Sequence, residues 1–271
     1  FEDSAYGTPN AGSFSHVFLG ALMEIGSPLG SPIGTPPLTA FDFRTDPYQG
    51  LTQSRDLREI ATSYDPRFRA ENDVVQFNME FALSDGLTLY SQTSYAKDDY
   101  YSTQDYSRFV SNPVFTDTSQ PLQDFSGFPL PPSPAAPGGI YTDPQLGPSS
   151  SMLSVDLNQS DNSQFVQEFR LQSDWDGAFN FNAGVNYLEF ESEDNYYVFS
   201  NMFSYIAEYY YNQDLTRPGN TIQCDENAPV WRECVYVDYS PLSDLAGDGH
   251  NYFRSRNVVK TGSLGVFAEG D

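Results

Sequence analysis

Residues 74–106 and 164–190 share one design, two alternating runs joined by an Asp-Gly turn, and it constrains the fold more than any other feature. In the first, Val75, Phe77, Met79, Phe81 and Leu83 fall on one face, and Gln76, Asn78 and Glu80 on the other. Side chains of a strand point alternately to opposite faces, so this is a strand with one apolar and one polar surface. Ser84-Asp85-Gly86 then leads into Leu87, Leu89, Thr93 and Tyr95, set against Thr88, Tyr90, Gln92 and Ser94. The second stretch repeats the scheme. Phe169 and Leu171 oppose Glu168, Arg170 and Gln172, Asp174-Trp175-Asp176-Gly177 turns the chain, and Phe179, Phe181, Ala183, Val185 and Tyr187 oppose Asn180, Asn182 and Asn186.

A fifth run, Val258, Lys260, Gly262, Leu264, Val266 and Ala268, alternates less cleanly with its neighbours. Strands are therefore expected at 73–83, 87–104, 163–173, 178–191 and 258–268, with connections at 1–72, 105–162 and 192–257. Tight turns at one end and connections of roughly sixty residues at the other are the asymmetry of an outer-membrane barrel. The expected class is all-β, a fragment of an antiparallel transmembrane β-barrel with long extracellular loops. Its about five strands cannot close, so their edges need neighbours.

Charge removes other classes. The chain holds 37 acids and 13 bases, a net charge of -24 with only two lysines, Lys97 and Lys260. Nucleic-acid binding needs a basic footprint that this balance lacks. Aromatic residues at 15% and periodic strands oppose general disorder. No apolar run approaches the roughly 20 residues of a spanning helix; barrel strands need only about 9–11 and show alternation instead. The stretch 16–25 is too short and contains Glu24. With no starting Met and no basic leader at Phe1, the chain reads as an internal piece or a processed form.

The connections carry their own signals. Gly-Ser-Pro repeats at 26–32 and the Pro-rich run 128–134 read as loop or polyproline II, because proline has no N–H for a ladder. A short helix is expected at 54–61 with Ser54 as cap. Phe199, Met202, Phe203, Ile206 and Tyr210 recur at spacings of three and four, marking one face of a helix of about 12 residues. Cys224 and Cys234 suit a small disulfide loop in an oxidising compartment and lack companions at zinc spacing. The run 244–250 offers Asp244 and Asp248 to a metal but reads as a turn. His16 and His250 give no basis for a catalytic triad. No metal, cofactor or enzymatic chemistry is expected.

Glu168-Phe169-Arg170-Leu171-Gln172-Ser173, its Asp-Gly turn and the alternation through Gly184 and Tyr187 resemble the barrel of TonB-dependent outer-membrane receptors. Members commonly write E-x-R-L-x-S, a D-G turn and an apolar alternation. Asp85-Gly86-Leu87-Thr88-Leu89-Tyr90-Ser91-Gln92-Thr93-Ser94-Tyr95 is similar to another strand of that barrel, and 260–269 to the later strand written K-x-x-S-x-A-x-F-x-E. The likeness touches most expected strands and is strongest to receptors of sphingomonad-like alphaproteobacteria. It implies a plugged barrel of about 22 strands in the bacterial outer membrane, with extracellular loops. It also implies uptake of a siderophore, other metal chelate or oligosaccharide when TonB pulls on the plug. A TonB box, the plug and the C-terminal strands are missing from these residues.

Barrel physics sends Gln76, Asn78, Glu80, Glu168, Arg170, Gln172, Asn180, Asn182 and Asn186 to the lumen, where Glu168 and Arg170 suit an ion pair with each other or with a plug. Phe77, Phe81, Phe169, Leu171, Phe179 and Phe181 would face lipid, and acidic loops could bind divalent ions beside lipopolysaccharide. Tyrosines crowd the far strand ends and loops. As candidates for ligand contact stand Tyr101, Tyr106, Tyr197, Tyr209 and Tyr210, against the alternative of an interfacial girdle or loop packing. Two rival readings stay open: a secreted all-β carbohydrate-binding or hydrolytic domain, and a passive porin-like channel.

Overall fold

The computed structural model describes residues 48, 50–107, 109–123, 129–130, 132, 134–212, 236–247, 249 and 251–271. The expected disulfide partners Cys224 and Cys234, both histidines, Asp248 and the 16–25 run lie outside the described residues. Five long strands form one sheet: β1 (Arg67–Ser84), β2 (Leu87–Asp105), β7 (Ser154–Ser173), β8 (Phe181–Ser200) and β9 (Tyr252–Gly270), in the order β1-β2-β7-β8-β9. The short strands β3 (Leu122–Gln123) and β4 (Pro129–Leu130) pair with each other, as do β5 (Tyr141–Asp143) and β6 (Gly147–Ser149). The fold is all-β and mostly antiparallel.

By packing, the chain divides into two compact units. The sheet unit comprises Arg67–Thr103, Leu157–Tyr196 and Ser255–Asp271; the loop unit takes the described residues of Phe1–Pro66, Gln104–Asp156 and Tyr197–Arg254.

Strands β1 and β2 pair antiparallel from Arg67↔Thr103 to Ser84↔Leu87, and a bulge between Ala82 and Ser84 sharpens the turn. Gly86 has a positive φ of 72°, which the two-residue turn requires and an L side chain rarely adopts. The bond from Thr93 Oγ1 to Gln167 at 2.7 Å and that from Asp174 N to Gly86 O at 2.7 Å fix β7 beside β2. Asn180 N and Asp271 O, 2.9 Å apart, do the same for β8 and β9.

All five strands are longer than the alternation suggested. β7 begins at Ser154 rather than 163, where Val155 and Leu157 alternate too briefly to read before the all-polar run 158–162, and β8 runs to Ser200 rather than 191, where Tyr196, Tyr197, Val198 and Phe199 follow one another without a period. The helix expected at 54–61 is a string of local turns. Ser54 Oγ accepts from Asp56 N at 3.1 Å and Asp56 Oδ1 from Arg58 N at 3.0 Å, the side-chain-to-backbone bonds that compete with helix.

The helix expected near 199–210 is α1 (Asn201–Ile206), continued by a wider π-type turn at Ala207–Tyr211. Ser200 caps it by accepting from Met202 N. Its buried residues are Asn201, Met202, Ser204 and Tyr205, so the buried face is turned away from Phe203 and Ile206, and Phe199 belongs to β8.

The segment 105–162 is also more than a Pro-rich loop. Phe109, Phe115, Ala135, Ala136, Tyr141 and Met152 join Tyr48, Met202 and Tyr205 in a hydrophobic core of the loop unit. Tyr141 sits edge-on to Tyr205 at 5.3 Å between ring centroids, within the range where aromatic pairs attract.

Candidate functional site

The sheet unit sorts its side chains into two unlike faces. With Thr93 opposite Gln167, Phe165 against Tyr187 (6.4 Å between rings) and Lys260 against Glu191, the residues of one face can be followed from strand to strand. That face carries Val75, Phe77, Met79 and Phe81 on β1; Leu87, Leu89 and Tyr95 on β2; Phe165, Phe169 and Leu171 on β7; Phe181, Ala183, Val185 and Tyr187 on β8; and Leu264, Val266 and Ala268 on β9. Much of it is open: Phe77 is 58% exposed and Val266 81%. At the turn end Trp175 and Phe179 both pack on Phe181. At the other end Tyr95 and Tyr187 mark the border, past which Asp73, Lys97, Glu191 and Lys260 follow on the same face.

Three polar residues interrupt the apolar band, Ser91, Thr93 and Gln167, and they satisfy one another. Gln167 accepts from Thr93 Oγ1, and its Nε2 donates to Ser91 Oγ at 3.2 Å and to the carbonyls of Gln92 and Glu168, each at 3.1 Å. A polar group in an apolar phase costs several kcal/mol unless it is bonded in this way.

The opposite face is polar. Gln76, Asn78 and Glu80 on β1 lie across from Ser94, Gln92 and Tyr90 on β2. Glu168, Arg170 and Gln172 follow on β7, and Asn182 and Asn186 on β8. No ion pair joins Glu168 to Arg170 among the described residues. The Arg170 guanidinium lies over the Tyr90 ring at 4.8 Å instead, a cation–π contact. Arg170 Nε and Asn182 Oδ1 are buried on this face without a hydrogen-bond partner. Asn180 is not on a strand. It closes the turn, with Oδ1 accepting from Trp175 N at 2.8 Å and Nδ2 donating to Trp175 O at 3.1 Å.

The loop unit holds a second polar constellation, which the sequence did not announce. Glu208 accepts from Tyr141 Oη at 2.9 Å and from Tyr239 Oη at 3.1 Å, joining β5, the π-type turn and the 236–240 segment. Burial pushes the Glu208 carboxyl above its ordinary value, against the two phenolic hydrogen bonds. Burial likewise raises Asp143, and it lifts Tyr209, beside Glu208, to about 12. Nearby, Asp238 accepts from Tyr252 Oη at 2.6 Å, from Ser240 N at 2.8 Å and from Ser240 Oγ. Burial alone would raise the Asp238 carboxyl, but the bonds from Ser240 and Tyr252 hold it below the usual range. Asn251 accepts from Asp238 N at 3.0 Å and donates to Gln145 and Ser204.

The expected ligand tyrosines have unlike surroundings. Tyr197 is 3% exposed, stacked with Phe199 and edge-on to Tyr252, so its ring is committed to packing. Tyr209 is half-buried against the core and Tyr205. Tyr106 is 46% exposed, Tyr101 lies half-buried on β2, and of Tyr210 only the backbone is described. Glu208, Tyr141 and Tyr239 are the residues missed; their one signal is an acid set against a tyrosine run at 208–211. Among the described residues no group of acids, histidines or cysteines is arranged to hold a metal, and Asp244 lies in a turn, its N–H donating to Pro241 O at 2.9 Å.

The chain matches no protein-family model, and no curated protein is similar to it.

Proposed function

We propose that these residues are a section of an outer-membrane TonB-dependent receptor, whose work is capture and energised uptake of a scarce ligand without covalent chemistry. The observation that carries the reading is the apolar band. It covers one face of five adjoining strands, is edged by Trp175 and Phe179 at the turns and by Tyr95 and Tyr187 at the other end, and has its few polar groups bonded internally. A secreted domain would have to leave this band in water, where exposed patches of this kind drive association. In a bilayer it is the lipid surface of a barrel, and the amide-rich opposite face lines the lumen. The sequence likeness in 168–173 and its turn favours a receptor over a passive porin.

On this reading the unpaired edges of β1 and β9 continue into further barrel strands, and TonB acts through a plug encoded elsewhere in the gene. The ligand is a siderophore, other metal chelate or oligosaccharide met by the loop unit, and the outer surface meets lipid and lipopolysaccharide. Fractionation of cells expressing the full-length protein tests the location: recovery in the outer membrane is expected, and recovery as a secreted soluble protein sinks the proposal. Ligand-limited growth that depends on both this gene and TonB separates receptor from porin.

A further inference from the structure

Resting on the receptor reading above, we infer that the segment 236–240 of the loop unit is a stacking platform for a neutral oligosaccharide, with Tyr239 as its principal ring. Tyr239 is 57% exposed, yet it is held. Its Oη donates to Glu208 Oε1 at 3.1 Å, and Glu208 Oε2 accepts from Tyr141 Oη at 2.9 Å. Tyr141 is 1% exposed in the core of the loop unit, so one carboxylate anchors the open ring to a buried one. The backbone on either side is fixed as well. Asp238 N donates to Asn251 Oδ1 at 3.0 Å, Gln145 Nε2 to Ser240 O at 3.1 Å, and Tyr252 Oη to Asp238 Oδ2 at 2.6 Å. Val237 and Asp238 are buried, and Tyr236, 43% exposed, is a second open ring on the same segment.

An exposed side chain is ordinarily free to turn, and a ligand that orders it loses affinity by doing so. Here folding has already ordered the ring, and tyrosine offers a large contact area with few rotatable bonds. The charges nearby then select the ligand. Both oxygens of Glu208 and both of Asp238 are engaged within the protein, by Tyr141, Tyr239, Tyr252 and Ser240, so neither carboxylate is free to draw a cation. The segment 236–247 has no Lys or Arg. Arg254, whose guanidinium donates to Gly247 O at 2.9 Å, is taken up by that carbonyl and by the Tyr197 ring. An anionic metal chelate therefore meets no counter-charge on this segment, and Asp244, exposed in the turn that follows, repels it. What the segment presents is an aromatic face, whose negative quadrupole suits the polarised C–H groups of an uncharged sugar ring. Among the ligand classes open to the receptor, these residues favour the oligosaccharide.

The test titrates the full-length protein, in a detergent without a sugar headgroup, with maltohexaose, cellohexaose, xylohexaose and laminarihexaose, and with an anionic ferric tris-catecholate, reading binding by calorimetry. At least one sugar is expected to bind, and the chelate is not. Tyr239→Ala should weaken that sugar about tenfold. Tyr239→Phe, which keeps the ring and loses only the bond to Glu208, should weaken it less and guards against a loss caused by misfolding. Leu57→Ala, which trims an exposed apolar side chain elsewhere in the loop unit, should leave binding unchanged. Binding of the chelate in place of the sugars, binding of none of these probes, or wild-type affinity in Tyr239→Ala overturns the platform. Sugar binding by a protein recovered secreted and soluble upholds the platform and defeats the receptor reading instead, so the two failures are distinct.

Discussion

The sheet unit and the loop unit solve opposite problems with similar residues. In the sheet, Phe77, Phe81, Phe169 and Val266 stand exposed on a regular surface, and hydrogen bonding is confined to ladders and a few self-contained side-chain clusters. In the loops, Phe115, Tyr141, Met152 and Tyr205 are buried, and acids and amides are tied together through Glu208, Asp238 and Asn251. One unit builds a conventional water-facing core. The other leaves its apolar residues exposed on one face of the sheet. The difference teaches that aromatic content alone says little, since both units are rich in it. The placement of polar satisfaction is what tells the two units apart.

Substitutions can break or sharpen that contrast. The largest effect is expected from Tyr205→Ala, which empties a fully buried position in the loop core and should cost about 3–5 kcal/mol. Proteolysis of the intact protein should then nick the loop segments while the strands stay protected; equal loss of both would show that the units do not differ in this way. Val266→Arg comes next. On a lipid face near mid-bilayer it should cost about 2–4 kcal/mol in membranes, read from folding into bilayers. A cost near zero would mean that the exposed apolar surface never meets lipid.

Gly184→Ala is expected to cost about 1–3 kcal/mol, because an added methyl would meet the Phe267 ring at 2.5 Å and Phe169 O at 2.6 Å. Phe267→Leu in the same background should recover part of it, which denaturant unfolding can measure. The smallest effect is one of slope. Since burial raises the Glu208 carboxyl, its stabilising contribution is fully present below the unfolded value, near 4.5, and is lost as pH rises through the raised folded value. Glu208→Gln should flatten that part of the pH profile of loop unfolding, and an unchanged profile would assign the dependence to other groups.

Much of the sheet was legible because period-two alternation is a local property. The faces of 75–83, 87–95 and 168–172 could be assigned before any coordinates, and the register then aligned them across strands. The extension 154–162 of β7 was not legible, since Val155 and Leu157 are its only apolar residues and the run 158–162 is polar on both faces. The loop core was hidden for another reason. Tyr48, Phe115, Tyr141 and Tyr205 are far apart in sequence, and no period links them. For Tyr197 the sequence leaves ligand contact, girdle and loop packing open, and the contacts with Phe199 and Tyr252, which no local pattern announces, place its ring in packing. Glu208 has no local pattern to set it apart from the other acids of the chain.

The self-contained bonding of Gln167 carries a consequence for biogenesis. Its amide is satisfied by Ser91, Thr93 and the Gln92 carbonyl, all on a strand that precedes it by the whole insertion 106–153. If β7 met hydrocarbon alone, that amide would arrive with its bonds unmade. On the membrane reading, the two hairpins must therefore zip together while water can still attend to them, with the intervening segment already paid out on one side. On that reading Gln167 would act as a checkpoint on assembly order, admitting to the bilayer a sheet whose second and third long strands have already found each other.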